Sequence, residues 1–170
     1  MTAVNVMVAE YDARGLHPAA GQADFNSRLE SVLPAAFRAA LELLGDATDA
    51  ERLVEAVAVA AWARFGELRS QSSFRAWFLG ILASLIQARG VEAAASVTGT
   101  AIDRALAALP VEVRVATTLH LVGELSYEEL GSALGIPAAA ARARVRHGRA
   151  LLCLGMEKAA NRGGPPGRWH

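Results

Sequence analysis

The stretch from Leu125 to Leu152, LSYEELGSALGIPAAAARARVRHGRALL, commits the chain to a tight helical corner. Ser126 is followed three residues on by Glu129, the form of a capping box in which each side chain satisfies an orphan N–H of the other's backbone. A helix therefore starts at Tyr127. Leu130, Ala133 and Leu134 recur at helical spacing, Gly135 supplies the left-handed residue that ends the helix, and Pro137 suits the first turn of the next one. At about 100° per residue, Arg142, Arg146 and Arg149 of that second helix share one face. Ala141, Val145, Gly148 and Leu152 form the face that packs on the preceding helix, and Arg144 falls near its edge. A basic helix presented by such a turn is a known way to enter a DNA major groove.

Charge is distributed to match. The chain is formally neutral, with 17 basic and 17 acidic residues in 170. Residues 1–100 hold 8 Arg against 11 acids, and residues 101–170 hold 8 Arg and 1 Lys against 6 acids. From Pro137 onward, Arg142, Arg144, Arg146, Arg149, Lys158, Arg162 and Arg168 face only Glu157. The positive field sits where a groove-binding helix needs it.

Several classes are disfavoured. A hydrophobic content of 53%, much of it alanine, excludes global disorder. No apolar run approaches the roughly 20 residues that cross a bilayer, and the amino terminus has no basic segment before an apolar one, so a soluble, cytoplasmic protein without membrane insertion is expected. The single Cys153 has no intramolecular disulfide partner and is expected to be a small buried or half-buried filler. His17, His120, His147 and His170 have no carboxylate or cysteine partners in a nucleophile or metal arrangement, and no phosphate-binding glycine loop occurs. No enzyme, metal site or cofactor is expected.

Nearly everything reads as helix. Residues 1–24 have little periodicity and are expected to be a loose arm. A helix is expected from about Ser27, capped with Glu30, to Leu44, where Gly45 stops it; Pro34 should kink or divide it. Thr48 and Glu51 predict a cap for a helix from Asp49 to about Phe65. Ser72 or Ser73 caps the next, on which Phe74, Trp77, Phe78, Ile81, Leu82 and Leu85 recur at three and four residues. GVEAAASVTGT, Gly90 to Thr100, has no large apolar residue and reads as a linker. Helices follow around Ile102–Leu109 and Val111–Leu121, with a break at Pro110, and the final NRGGPPGRWH reads as a flexible tail. The expected fold is all-α: two small helical domains, 25–90 and 101–158, joined by the linker 91–100, the second containing the helix-turn-helix, with a tail from 159 to 170.

The succession LLGD, DAE-LV, W, SSFR-W, LP-E-R, LSYEELG and LGIP, over about residues 25–155, resembles a bacterial sigma factor of the extracytoplasmic-function type. That resemblance implies a non-catalytic initiation factor whose region two docks on core RNA polymerase and opens the minus-ten element, while region four reads the minus-thirty-five element of promoter DNA. It also implies an anti-sigma factor as a partner. Carried over by position, Arg142, Arg144, Arg146, His147 and Arg149 fall on the reading helix, and Arg114 matches the arginine of LP-E-R, a candidate phosphate contact. Asp49, Glu51, Arg52, Leu53, Val54, Glu55 and Val57 fall on the polymerase- or partner-docking segment.

Region two departs from the family pattern. Arg52 replaces an acid and Glu55-Ala56 replaces Gln-Glu, which thins and partly reverses the docking charge. Leu53, Val54, Val57, Ala58, Val59, Ala60, Ala61 and Trp62 make that helix apolar nearly all round, buried either in its own domain or against a partner. On the next helix Ala83-Ser84 stands where the family carries Arg-Asn, and only Arg89 remains of a basic cluster. Arg64, Phe65, Arg69 and Arg75 are the remaining candidates for handling unpaired bases, while Phe74 and Trp77 resemble core residues. An alternative sigma factor is the favoured reading. The competitors are a sigma-like decoy or adaptor that binds an anti-sigma factor or other regulator without productive polymerase engagement, and an ordinary helix-turn-helix regulator.

Overall fold

The computed structural model describes residues 19–68, 73–89 and 100–162. Among them are seven α-helices and no strand: α1 Ala19–Leu44, α2 Ala47–Ala63, α3 Phe74–Ala88, α4 Ala101–Ala107, α5 Val111–Leu121, α6 Tyr127–Leu134 and α7 Ala138–Arg162. A 3-10 turn, Phe65–Glu67, follows α2. The linker at 90–99, most of the amino-terminal arm, Arg69 and the end of the tail lie outside the described residues.

The first helix begins at Ala19, upstream of the expected Ser27 cap, and runs unbroken through Pro34. Ser27 sits on an exposed flank that the Arg28–Asp24 ion pair spans, its atoms 2.9 Å apart. Proline costs this helix a hydrogen bond, but Phe25, Leu29, Val32, Ala36 and Ala39 on the opposite face are all essentially inaccessible. Burial at that spacing outweighs the local penalty of about 3 kcal/mol. Gly45, at φ 74, ends the helix. It leaves Asp46 extended, and the Asp46 carboxylate accepts from Asp49 N at 2.9 Å. The cap of α2 is therefore Asp46, and Thr48 lies inside the first turn.

Phe25, Trp62 and Phe74 pack ring against ring, with centroids 5.0 and 5.8 Å from Phe25, and fix where α1, α2 and α3 cross. Phe74 is thus core, as its family position implied. Ser73 caps α3 by accepting from Ala76 N at 3.3 Å.

The two helical groups do not stand apart. One hydrophobic cluster runs from Phe25 and Trp62 through Leu79, Leu82 and Ile86 to Leu119, Leu125, Leu130 and Val145. The seam is the crossing of α3 and α6. A Cβ on Gly80 would lie 2.8 Å from the Ala133 carbonyl oxygen, so only glycine permits this approach. Polar contacts flank it: Arg75 Nη2 donates to Glu124 Oε2 at 3.1 Å.

Candidate nucleic-acid interface

The corner forms as its residues dictate. Ser126 Oγ accepts from Glu129 N at 3.2 Å while Glu129 Oε2 accepts from Ser126 N at 3.0 Å, completing the capping box. Gly135 closes α6 at φ 65, and its N–H bonds back to the last turn. Pro137 immediately precedes α7, and its carbonyl accepts from Ala140 and Ala141.

Helix α7 buries Ala141, Val145 and Gly148 and exposes Arg142, Arg146 and Arg149. The guanidinium of Arg142 lies over the Tyr127 ring, 5.0 Å from its centroid. Arg144 is turned the other way: its Nη2 pairs with Glu112 Oε2 at 3.0 Å, tying α7 to the start of α5. This cation belongs to the packing edge and is compensated there. His147 is exposed, but helical geometry sets it roughly 100° from Arg146, off the arginine face. Cys153, expected as a filler, is exposed one turn beyond Arg149.

Arg114 is not at the surface. It is 2% exposed, and its Nη1 donates to the Ala107 carbonyl at 3.3 Å, closing the carboxy-terminal end of α4. Burial holds its guanidinium below the usual arginine range. A phosphate contact would require this side chain to leave its packing site, so the expected role is replaced by a structural one.

The region-two candidates separate by exposure. Leu53, Val54 and Val57 are 0%, 5% and 0% exposed, inside the core, which corrects their placement on a docking surface. The apolar character of α2 is spent mainly inside its own helical group. Asp49, Glu51 and Arg52 face outward and Glu55 is half-buried. Arg52 lies 3.7 Å from Asp49 and offsets its charge. Arg89 is exposed at the end of α3, whereas Arg75 is committed to Glu124. Between α3 and α6 lies a cleft of about 440 Å³ lined by Arg64, Ser73, Trp77, Ser84, Glu128 and Glu129, among others.

Two residues that carry the site's geometry escaped the sequence reading. Glu124 and Tyr127 act across 49 and 15 residues of chain, on Arg75 and Arg142. No local spacing signals such contacts.

Residues 99–152 match the family model described as sigma-70, region 4. Among solved structures, the sigma factor RpoE from Bartonella quintana, in complex with the anti-sigma factor NepR, is 26% identical with a TM-score of 0.65. The match covers 79% of this chain and 97% of that one. CnrH, in complex with the cytosolic domain of CnrY, has the same fold at 23% identity and a TM-score of 0.69, covering 91% of this chain and 98% of that one. No curated protein matches by sequence. The class defined by fold and corner is an all-α protein carrying sigma-70 region 4. Over most of its length the chain is similar to solved sigma factors, and residues 99–152 carry the region-4 match.

Proposed function

We propose that the chain is an alternative sigma factor that reads promoter duplex with the Arg142, Arg146 and Arg149 face of α7 and engages core RNA polymerase through the outward residues of region two, in the cytoplasm. The carrying observation is the face itself: three exposed guanidinium groups on one side of a helix whose other side is anchored by the capped corner. Arginine suits the task because its planar fork donates two bonds to guanine O6 and N7. Asp49, Glu51, Glu55 and Arg52 are the polar part of α2 left for polymerase. Just past the end of α3, Arg89 is an exposed cation available to promoter DNA.

No metal-ligating group of side chains occurs among the described residues, and no described helix is long and apolar enough to cross a membrane. Sigma factors in general are not enzymes, and the role proposed requires no catalytic group.

The packed seam bears on how the factor is used. Promoter elements named minus ten and minus thirty-five lie about 85 Å apart at ~3.4 Å per base pair. Helices α3 and α6 are in contact, and residues 90–99 span at most about 35 Å when extended. Reading both elements therefore requires the seam to part and release Arg75 from Glu124. RpoE of Bartonella quintana is held by an anti-sigma factor, and an anti-sigma factor that binds the closed arrangement would keep this chain from promoters.

The test is co-purification with core RNA polymerase followed by run-off transcription from genomic promoters. Polymerase binding with promoter-specific transcripts supports the reading. A well-folded chain that does not bind polymerase at micromolar concentration overturns it.

A further inference from the structure

Tyr127 is the first residue of α6. Its ring is stacked on His120, centroids 4.6 Å apart and planes within 19°, and the Arg142 guanidinium lies over the same ring at 5.0 Å. His120 is itself fixed. Its Nδ1 lies 2.8 Å from the Leu125 carbonyl, and because a carbonyl only accepts, Nδ1 carries the hydrogen. The chain of contacts runs from α5, through the turn, to the first residue of α6 and onto the reading helix.

An exposed arginine has rotamer entropy to lose when it docks. One held over an aromatic face has lost part of it already. The geometry points to Tyr127, braced by His120, as a positioning residue that pre-sets the Arg142 guanidinium for base readout, so that sequence discrimination by this sigma factor depends on a ring that touches no base. The inference rests on the proposed reading face. It departs from a direct phosphate contact by the Tyr127 hydroxyl, for which the hydroxyl matters and the ring does not.

The test uses the full chain with core polymerase, duplexes enriched by the wild type from a random-sequence pool, and the unenriched pool as competitor. Tyr127→Phe keeps the ring and should leave the preference for enriched over unenriched duplex unchanged. Tyr127→Leu should lower that preference ~2- to 5-fold, the range of an exposed cation–π contact. In an Arg142→Ala background, Tyr127→Leu should lower it no further, because the group it positions is gone.

If Tyr127→Leu does not fold, as judged by thermal melting, His120→Leu removes the brace instead and should show the same dependence on Arg142. Loss of binding to both pools with Tyr127→Phe would overturn the inference in favour of a phosphate contact. Equal losses with and without Arg142 would reduce Tyr127 to a stability element. A wild type that enriches no sequence removes the reading face on which the inference stands, an outcome separable from the others because it appears before any variant is made.

Discussion

Arg75 and Glu124 meet across the seam at 3.1 Å although they lie 49 positions apart in the chain, and Glu124 has a left-handed backbone, φ 54. The pair is partly exposed, with side chains 35% and 66% accessible, so it is worth at most about 1 kcal/mol and less at high salt. What closes the seam is shape: Gly80 against the Ala133 backbone, with Leu79, Leu125 and Leu130 buried around it. The ion pair then serves as a register mark on a surface that apolar contact holds shut.

Gly80→Val should accordingly part the two helical groups while leaving each folded. The added Cβ meets a carbonyl oxygen 2.8 Å away, backbone that has no rotamer with which to retreat. Overpacking of this kind costs about 1–3 kcal/mol. Small-angle scattering should record a larger radius of gyration for the variant, with unchanged helical circular dichroism. An unchanged radius would mean that the seam adapts and is not the closing element.

Glu124→Gln should by contrast change global stability by less than about 1 kcal/mol in low salt, and by nothing measurable in 1 M salt. Urea denaturation at the two ionic strengths checks this, and a larger salt-independent loss would assign the seam's stability to charge.

The corner was legible because its signals are local and point the same way: a capping box, a helical spacing and a glycine at one position fix three backbone decisions. The first two caps were misplaced for a related reason. Ser27 and Thr48 have capping chemistry, but where a helix starts is decided by burial of Phe25 and Leu29 on α1 and by Gly45, which puts Asp46 at the cap of α2. Leu53, Val54 and Val57 showed that they are apolar without showing which surface covers them. The seam was invisible, since sequence spacing cannot tell two domains joined by a linker from two groups sharing one core. The same limit hid the burial of Arg114, whose partner is a carbonyl seven residues away.

Ser126→Ala should cost about 0.5–2 kcal/mol, since Glu129 N–H loses its acceptor. Gly135→Val should cost at least about 1–2 kcal/mol even though open space surrounds the position, because the whole penalty is backbone strain at φ 65. Chemical denaturation of both variants against wild type measures this. A Gly135→Val protein as stable as wild type would require the turn to have another conformation.

Leu53→Ala and Leu53→Asp separate core from docking roles on α2. Complete burial predicts a loss of about 2–5 kcal/mol for the alanine, and unfolding of the first helical group for the aspartate, whose charge has no partner there. Arg52→Asp lies on the outward side and should leave stability within about 0.5 kcal/mol while altering polymerase affinity. Weakened polymerase binding by Leu53→Ala with unchanged melting would return Leu53 to the docking surface.

Glu129 gives the corner a dependence on acid. The Ser126 backbone N–H holds its carboxyl below the usual glutamate value of 4.5, assisted by the Ser73 and Ser126 hydroxyls and Arg75, against a smaller opposing effect of burial. A carboxyl depressed in the folded state binds fewer protons there than in the unfolded chain. Its contribution to stability is therefore complete above the unfolded value and fades as pH falls through the folded one. Glu129→Gln removes the titrating group, so the gap in stability between wild type and variant should be widest near pH ~6 and narrow steadily toward pH ~3. Urea denaturation across that range reads it directly. A gap constant with pH would mean that the carboxylate gains nothing from its cap, and that the corner is held by the Ser126 hydroxyl and Gly135 alone.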